Sequence, residues 1–305
     1  MRKRKNKILK YILTLSAAVI FIAVVLILAK DNPLAGLENT LGIGNVSDEN
    51  AQPFSVTCID VGQGDCALII CDGVSMLIDA GDNGYEENVL KFIHSNGIDR
   101  LDYVVCSHLH TDHIGGMPEV IDEFKPYAVI MPAVAPEFIP ETVTYGILLE
   151  SIENSGSEIF TPLPGESFEL GSAEVMTMGP VYESENHNDM SLVLKITYSD
   201  RSFLFTGDCE KTEENDILLN GADLNCDFLK VSHHGSSNAS TVEFLEAVSP
   251  AICVISVGAD NDYGHPSDTV LKRLIKYTDK IYRTDISGNI TVSCDGKKLY
   301  VSTEK

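Results

Sequence analysis

Short apolar runs separated by turn residues dominate the chain after residue 53. Phe54–Asp60, Cys66–Cys71 and Ser75–Asp79 are rich in apolar and β-branched residues, and glycines lie between them. Runs of this length bounded by glycine are typical of β-strands. The pattern therefore predicts three consecutive strands at the start of a folded domain.

Segments with helical spacing alternate with further strands. Apolar residues recur every three to four positions in Glu86–Asn96, which predicts a helix ending at Gly97. This mixture predicts an α/β fold in which two sheets pack together under covering helices. Further helices are predicted at Gly116–Phe124, Thr142–Asn154, Glu213–Leu219, Thr241–Val248 and Ser267–Tyr277. Further strands are predicted at Leu101–Ser107, Ala128–Met131, Ala173–Met178, Ser191–Tyr198, Ser202–Thr206, Phe228–Ser232, Ile252–Ser256, Ile281–Thr284, Ile290–Cys294 and Leu299–Ser302.

The first 30 residues differ from everything that follows. Met1–Lys10 carries six basic residues and no acid, and Tyr11–Ala29 contains no charged residue. A helix of about 20 apolar residues spans a bilayer, so this run predicts a single N-terminal transmembrane anchor; a cleaved signal peptide is the alternative. The basic cluster predicts that the chain after Lys30 is extracellular. We expect residues 31–53 to form a linker and residues 54–305 one domain.

Charge is distributed unevenly along the chain. Residues 1–30 contain seven of the 22 basic residues and none of the 45 acidic ones, so residues 31–305 carry a formal charge of −30. Surfaces that bind nucleic acid need clustered lysine and arginine, and no basic stripe is present here. The composition therefore disfavours tight duplex binding and indicates an acidic, well-solvated surface.

Eight cysteines are scattered along the chain, and none forms a C-x-x-C pair. Most of them lie in apolar, strand-like runs, as Cys106 and Cys253 do. A free cysteine commonly packs as a small buried hydrophobe. We therefore expect the thiols to fill the core rather than bind metal.

The densest chemical signal is a group of histidines directly after a predicted strand. His108, His110, Asp112 and His113 lie within six residues. Residues i and i+2 of an extended segment share a face, so His108 and His110 can grip one ion together. Asp112 and His113 lie where the chain turns towards a helix and can reach a second ion. Imidazole and carboxylate ligands suit zinc, manganese or iron.

Two later strands end in the same kind of residue. Asp208 follows Gly207 at the end of an apolar strand, and its carboxylate is suited to bridge two ions. His233 and His234 follow another strand, and one of them is expected to ligate. Because adjacent residues of a strand point to opposite faces, we do not expect both to bind one ion.

The order of these motifs resembles the metallo-β-lactamase superfamily. More narrowly, it is similar to the extracellular hydrolase domain of ComEC-type DNA-uptake channels and its free-standing relatives. The resemblance covers about residues 54–301. Besides the histidine motifs and Asp208, its matching segments are Asp60–Asp65 (DVGQGD), Leu77–Gly81 (LIDAG), Asn188–Leu194 (NDMSLVL), Tyr263–Ser267 (YGHPS) and Tyr282–Asp285 (YRTD).

The resemblance implies an αββα sandwich with two divalent metal ions, zinc or manganese, at the sheet edges. It assigns His108, His110 and Asp208 to one ion, and Asp112, His113, Asp208 and His234 to the other. His234 is preferred to His233 only on this basis. Many superfamily members have a further histidine before the bridging aspartate. Here the candidates for that place are His187, Asn188 and Asp189.

Other polar residues near these motifs are candidates for substrate binding or support. Asp60 and Asp65 flank a glycine-rich turn, and Ser236 follows the histidine pair; all three, with Asn188, are predicted to contact substrate. Asp79 is predicted to orient a ligand histidine, although an acid that only shapes the turn is equally consistent. His265 is predicted to be catalytic, as a donor to an oxyanion or as a general acid; a structural histidine is the alternative.

Two shared metals can generate a bridging hydroxide that attacks phosphorus. With the resemblance, this predicts an extracellular phosphodiesterase that acts on DNA, with Asp112 and His265 catalytic. The expected partners are single-stranded DNA and a separate uptake channel, in a competence-like context. A cell-wall or lipid phosphoester is the alternative substrate, and a non-catalytic, metal-stabilised surface binder is the alternative class. Local phosphate contacts would need the scattered cations Lys211, Lys230, Arg273 and Arg283.

Overall fold

The computed structural model describes residues 52–305. The predicted anchor and nearly all of the predicted linker lie outside this range. Within residues 52–305, every helix is too short or too polar to cross a membrane.

The first sheet contains eight strands. They are β1 (Phe54–Cys58), β2 (Ala67–Cys71), β3 (Val74–Ile78), β4 (Tyr103–Val105), β5 (Ala128–Ile130), β6 (Glu158–Phe160), β14 (Ile290–Cys294) and β15 (Leu299–Thr303). Their spatial order is β15-β14-β1-β2-β3-β4-β5-β6. The first and last strands of residues 52–305 thus lie in this sheet, where β14 pairs with β1 in the register Phe54↔Cys294.

The second sheet contains seven strands from the middle of the chain. They are β7 (Ser167–Leu170), β8 (Ala173–Gly179), β9 (Val193–Tyr198), β10 (Arg201–Phe205), β11 (Phe228–Lys230), β12 (Ile252–Ile255) and β13 (Ile281–Arg283). Their order runs from β13 to β7 in reverse sequence. Strands β10, β11, β12 and β13 are parallel to one another.

Helices cover the outer faces of both sheets. They are α1 (Glu86–Ser95), α2 (Thr111–Ile114), α3 (Met117–Phe124), α4 (Val143–Ser155), α5 (Lys211–Leu219), α6 (Val242–Val248), α7 (Asp268–Leu274) and α8 (Thr284–Ser287). Apolar side chains of α1, α3 and α4 form one buried cluster with β2, β3 and β4. Those of α5, α6 and α7 form another with β9 to β12. Between the sheets, the rings of Phe54 and Phe203 lie 4.5 Å apart. The predicted α/β fold with two packed sheets is confirmed.

Two strands were not predicted, and both lie at sheet edges. In β6, Glu158 and Ile159 are exposed, and β7 has only four residues. A short edge strand buries little side chain, so its sequence lacks the apolar pattern on which the prediction rests. Strands in the middle of the sheets were found within one or two residues of their predicted bounds.

All eight cysteines are buried and free. Burial raises the pKa of the Cys58 and Cys253 thiols to about 12. Such thiols are inert hydrophobes. Their predicted packing in the core is confirmed.

Parallel strands bring the chemical motifs to one edge of the sandwich. Strands β3 and β4 are parallel, as are β10, β11 and β12. Side chains that follow the carboxyl ends of parallel strands meet at the same edge. His108 follows β4, Asp208 follows β10 and His234 follows β11, so both sheets contribute to one site.

Candidate metal centre

Four side chains from three segments of the chain lie close together beyond the carboxyl ends of the strands. One ligand atom from each of Asp112, His113, Asp208 and His234 lies within 4.8 Å of the other three. Nε2 of His113 is 3.2 Å from Oδ1 of Asp208, and Nε2 of His234 is 3.6 Å from the same oxygen. Nε2 of His234 is also 3.4 Å from Oδ2 of Asp112. This group can hold a divalent cation.

Hydrogen bonding in the group is consistent with a metal ion. Nε2 of His113, Oδ1 of Asp208 and Nε2 of His234 are buried, and none has a hydrogen-bond partner in the protein. Buried polar atoms are normally paired, and here the three unpaired atoms face one another. Two imidazole nitrogens and a carboxylate form a donor set that suits zinc or manganese.

Charge in the group also favours a cation. Burial opposes a charge on His234, but Asp208, Asp112 and Asp65 outweigh it and raise the pKa of this imidazole to about 10. Burial likewise opposes ionisation of Asp208, yet His113 and His234 hold its pKa well below the usual range. The carboxylates thus create a negative potential that a proton or a metal ion relieves.

Asp79 contacts the Nδ1 side of the His113 imidazole. Its Oδ2 lies 2.8 Å from Nδ1 of His113, and its two oxygens accept hydrogen bonds from the backbone N–H and the hydroxyl of Ser107. A carboxylate on one imidazole nitrogen leaves the other free to ligate. Asp79 therefore lies where it would orient His113 towards a metal ion, and this role stays a prediction.

His234 is held in the same way. Its Nδ1 donates to the carbonyl oxygen of Ser256 at 3.0 Å and lies 3.3 Å from Oδ1 of Asp65. Oδ2 of Asp65 forms a buried ion pair with Nζ of Lys230 at 2.5 Å. Asp65 is thus enclosed behind His234. The predicted substrate contact of Asp65 is corrected to a supporting contact, and the predicted phosphate contact of Lys230 is corrected because its charge is buried.

The first predicted ligand set is more open. Nε2 of His108 lies 3.0 Å from Nδ1 of His110 and 3.9 Å from Oδ2 of Asp208. Among the described residues, neither His108 nor His110 belongs to a group of three ligand atoms within 4.8 Å. Burial, reinforced by His113, holds the pKa of His108 well below its ordinary value, so this imidazole is neutral and its Nε2 can ligate.

The three candidates for a further ligand lie in a short 3₁₀-helix, His187–Met190. The ring of His187 is 5.6 Å from that of His110. Asn188 donates to Oε1 of Glu210, and Asp189 accepts from the backbone N–H of Glu210 and from Asn186. The carboxylate of Asp189 is thus engaged in holding this loop. Glu210, two residues after Asp208, was not singled out in the sequence, since nothing there indicates which loop it meets.

His233 and His234 both reach Asp208. They lie in a second 3₁₀-helix, Ser232–Gly235, and both have left-handed backbone conformations, with φ of 49° and 51°. Non-glycine residues rarely adopt this conformation, and two in succession change the direction in which the side chains point. Nε2 of each imidazole is 3.6 Å from an oxygen of Asp208. The expectation of opposite faces was based on extended geometry, which these residues do not have.

His265 lies beside this histidine pair. Its ring centroid is 5.5 Å from that of His233 and 6.4 Å from that of His234. Asn261 accepts from the backbone N–H of His265 and donates to its carbonyl oxygen, which fixes the loop. Burial, with His233 and His234, lowers the pKa of His265 to about 4. The imidazole is therefore neutral at pH 7.

Asp60 and Ser236, two other predicted substrate contacts, make hydrogen bonds within the protein. Asp60 accepts from the backbone N–H of Gly62, and its Oδ2 is 3.5 Å from Nζ of Lys305. Ser236 is buried, and its hydroxyl accepts from the backbone N–H of Asn238. These contacts shape turns, and the direct contact of both residues with substrate stays a prediction.

Glu213 supports the loop that leads to the 3₁₀-helix His187–Met190. Its Oε1 accepts from the backbone N–H of Val181 at 2.7 Å, and the residue is 2% exposed. Burial, reinforced by Asp216 and Asp189, raises the pKa of this carboxyl to about 8. Since the folded state favours the protonated acid, this group stabilises the fold below pH 4.5, and the contribution is lost as pH rises through about 8.

We expect Glu213→Gln to stabilise the protein at pH 8 and to have little effect at pH 5. The amide keeps an acceptor for Val181 and carries no charge, so the gain at pH 8 is about 1–3 kcal/mol, equivalent to one to two pKa units. Urea unfolding of both chains at the two pH values measures this. Glu243→Gln, on the exposed side of α6, is the matched control. An equal effect of Glu213→Gln at both pH values would contradict the prediction.

Comparison with known proteins agrees with this geometry. The family model described as the metallo-beta-lactamase superfamily matches residues 59–258. ComE operon protein 3 of Bacillus subtilis is 28% identical over 254 residues, which are 77% of this chain and 32% of that protein. Competence protein ComA of Neisseria gonorrhoeae is 30% identical over 239 residues, 77% of this chain and 31% of that protein. The chain thus spans about a third of the length of these relatives.

Solved structures support the fold. CmlA, a diiron beta-hydroxylase from Streptomyces venezuelae, superposes with a TM-score of 0.56 at 18% identity, over 80% of this chain and 55% of that one. The metallo-beta-lactamase fold protein YhfI from Bacillus subtilis gives 0.50 at 13% identity, over 76% and 96%. At these identities the likeness concerns the fold alone. From the family match, the two-sheet architecture and the histidine–aspartate group, the chain belongs to the metallo-beta-lactamase superfamily and resembles its ComEC-type competence proteins.

Proposed function

We propose that this protein is an extracellular, metal-dependent phosphodiesterase that cuts DNA. The observation that carries the proposal is the carboxylate of Asp208, whose Oδ1 faces His113 and His234 while its Oδ2 faces His108. A carboxylate with imidazoles on both oxygens is suited to bridge two ions. Two divalent ions, zinc or manganese, would activate water and polarise a phosphoryl oxygen.

The protein's own residues would place the phosphodiester against this centre. Asp112, 31% exposed at its side chain, is open to solvent and would lie beside the incoming phosphate. The neutral imidazole of His265 has a buried Nδ1 without a partner. Because its pKa is low, donation of one N–H to a phosphoryl oxygen fits this residue better than protonation of the leaving group.

DNA is the proposed substrate because the relatives are competence proteins. A predicted N-terminal anchor would hold the domain outside the membrane, where incoming DNA would meet it. One partner would then be single-stranded DNA, and another a separate uptake channel that the domain works beside.

The charges around the site support a second candidate, a cell-wall or lipid phosphoester. Lys230 is paired with Asp65 inside the protein, Arg283 with Asp285 at its edge, and Arg273 donates to two backbone carbonyl oxygens. These cations are thus already engaged within the fold. A small phosphodiester needs fewer phosphate contacts than a DNA strand does.

Cleavage assays separate these functions. We expect the purified full chain, loaded separately with Mn²⁺ and Zn²⁺, to cut fluorescent single-stranded DNA and to hydrolyse bis-p-nitrophenyl phosphate. Asp112→Ala should lower both rates by at least about 100-fold, because it removes a ligand and the negative charge that holds the ion. Asp122→Ala, on exposed α3 surface, is the matched control and should retain the wild-type rates.

The two substrates give distinct results. Hydrolysis of the small diester without DNA cleavage would favour the wall or lipid phosphoester. If the wild-type protein binds metal but hydrolyses neither substrate, the non-catalytic, metal-stabilised binding protein would be favoured. DNA cleavage that survives Asp112→Ala would overturn the assignment of the site.

A further inference from the structure

The His108–His110 side of the centre has two imidazoles and shares Asp208. These give the first ion three protein ligands, and a tetrahedral ion has a fourth position that water, substrate or another side chain can fill. A third imidazole on this side would make it equivalent to the opposite side, where Asp112, His113 and His234 surround the other oxygen of Asp208.

His233 lies where such a ligand is needed. Its Nε2 is 3.6 Å from Oδ2 of Asp208, the same oxygen that is 3.9 Å from Nε2 of His108. Its neighbour His234 is 3.6 Å from the other oxygen, Oδ1. The left-handed backbone of these two residues thus directs consecutive imidazoles to opposite oxygens of one carboxylate.

Glu210 contacts His233 in the way that a supported ligand requires. Its Oε1 is 3.1 Å from Nδ1 of His233, so that Nε2 is the nitrogen directed at Asp208. Asp79 lies in the corresponding place beside Nδ1 of His113, where it forms a hydrogen bond at 2.8 Å, whereas Glu210 is within ion-pair distance of His233 without forming a hydrogen bond to Nδ1. A carboxylate behind an imidazole fixes its orientation and increases its basicity as a ligand. Glu210 is itself held by Asn188 and Asn186.

The rival residues are less well placed. The amide of Asn188 donates to Glu210, and the carboxylate of Asp189 accepts from Glu210 and Asn186. His187 lies near His110, at a ring distance of 5.6 Å, but among residues 52–305 no carboxylate lies within 4.0 Å of its imidazole. Of the two imidazoles, that of His233 lies within 4.0 Å of the Asp208 carboxylate and that of His187 does not.

We infer that His233 is the third imidazole ligand of the first metal ion, together with His108, His110 and Oδ2 of Asp208, and that Glu210 positions it. This inference rests on the proposed two-metal centre. It assigns both members of the histidine pair to metal binding, one to each ion.

Metal content and affinity test the assignment independently of catalysis. The full chain is stripped with chelator, and zinc binding is followed by titration calorimetry and by plasma mass spectrometry after desalting. The wild type should bind two equivalents. His233→Ala should keep one equivalent and weaken the other by at least about 100-fold, and Glu210→Gln should weaken the same equivalent by about 10–100-fold.

His187→Ala is the matched control, since His187 is also a half-buried histidine near the site; it should bind both ions as the wild type does. Circular dichroism of the metal-free variants checks folding, and Glu210→Gln provides the test if His233→Ala does not fold. The inference would be overturned if His233→Ala and Glu210→Gln both bound two zinc ions with wild-type affinities. It would also be overturned if His187→Ala lost the first ion, or if the wild type bound only one zinc ion per chain. Failure to cut DNA would leave these readouts unchanged and would count against the proposed function alone.

Discussion

Asp208→Asn is expected to lower the affinity for both proposed metal ions by more than about 100-fold, the largest effect of any single substitution at the centre. Oδ1 of Asp208 lies near the imidazoles of His113 and His234, and Oδ2 lies near that of His108. Loss of a residue that only supports a ligand already costs about 10–100-fold in affinity, and here a ligand of both ions loses its charge. The melting temperature with and without added zinc measures this, because an ion that binds only the folded state stabilises it.

The wild type should melt higher in zinc than in chelator, and Asp208→Asn should melt at the same temperature in both. Asp268→Asn provides a control, since its side chain is 90% exposed on α7. A zinc-dependent rise in Asp208→Asn as large as that of the wild type would show that Asp208 does not bridge the ions.

Lys230→Met is expected to lower the free energy of unfolding by about 3–5 kcal/mol, the largest effect on stability. Nζ of Lys230 is 2.5 Å from Oδ2 of Asp65, and the two side chains are 3% and 6% exposed. Removing one partner of a buried ion pair leaves an uncompensated charge in a medium that solvates it poorly. Urea unfolding in chelator measures this cost apart from any change in metal affinity.

The double variant Lys230→Met/Asp65→Leu is expected to be more stable than Lys230→Met alone, because no buried charge remains. Lys272→Met is the surface control: its pair with Asp268 is 79% and 90% exposed, so it should change the free energy of unfolding by less than about 1 kcal/mol. A double variant less stable than the single one would show that the cost comes from lost packing rather than from the unpaired carboxylate.

The parts of the fold that the sequence predicted are those with a strong apolar period. Central strands such as β1 and β10 bury both faces, and their bounds follow from the run of apolar residues. The edge strands β6 and β7 lack that run. The motif H-x-H-x-D-H could also be recognised, because its residues are close in sequence. They all follow a single strand, so no contact between distant segments is needed to bring them together.

The relations that the sequence did not predict join residues far apart in the chain. Asp65 meets Lys230 only after the two sheets pack, so no local pattern distinguishes a substrate contact from a buried ion pair. His233 and His234 have left-handed backbone conformations that no local sequence pattern indicates, whereas side chains in an extended strand would alternate. Glu210 becomes a partner of His233 for the same reason: its role depends on loop geometry.

The pairing of β14 with β1 has a consequence for how the protein is made. β1 is an internal strand of its sheet, and one of its two neighbours comes from residues 290–294, near the end of the chain. During synthesis, that side of β1 therefore stays open until about 240 further residues have followed, which takes roughly 12–48 seconds at ordinary elongation rates. For this interval one edge of β1 is unpaired, and such an edge can associate with another chain until the last hairpin, β14–β15, is available.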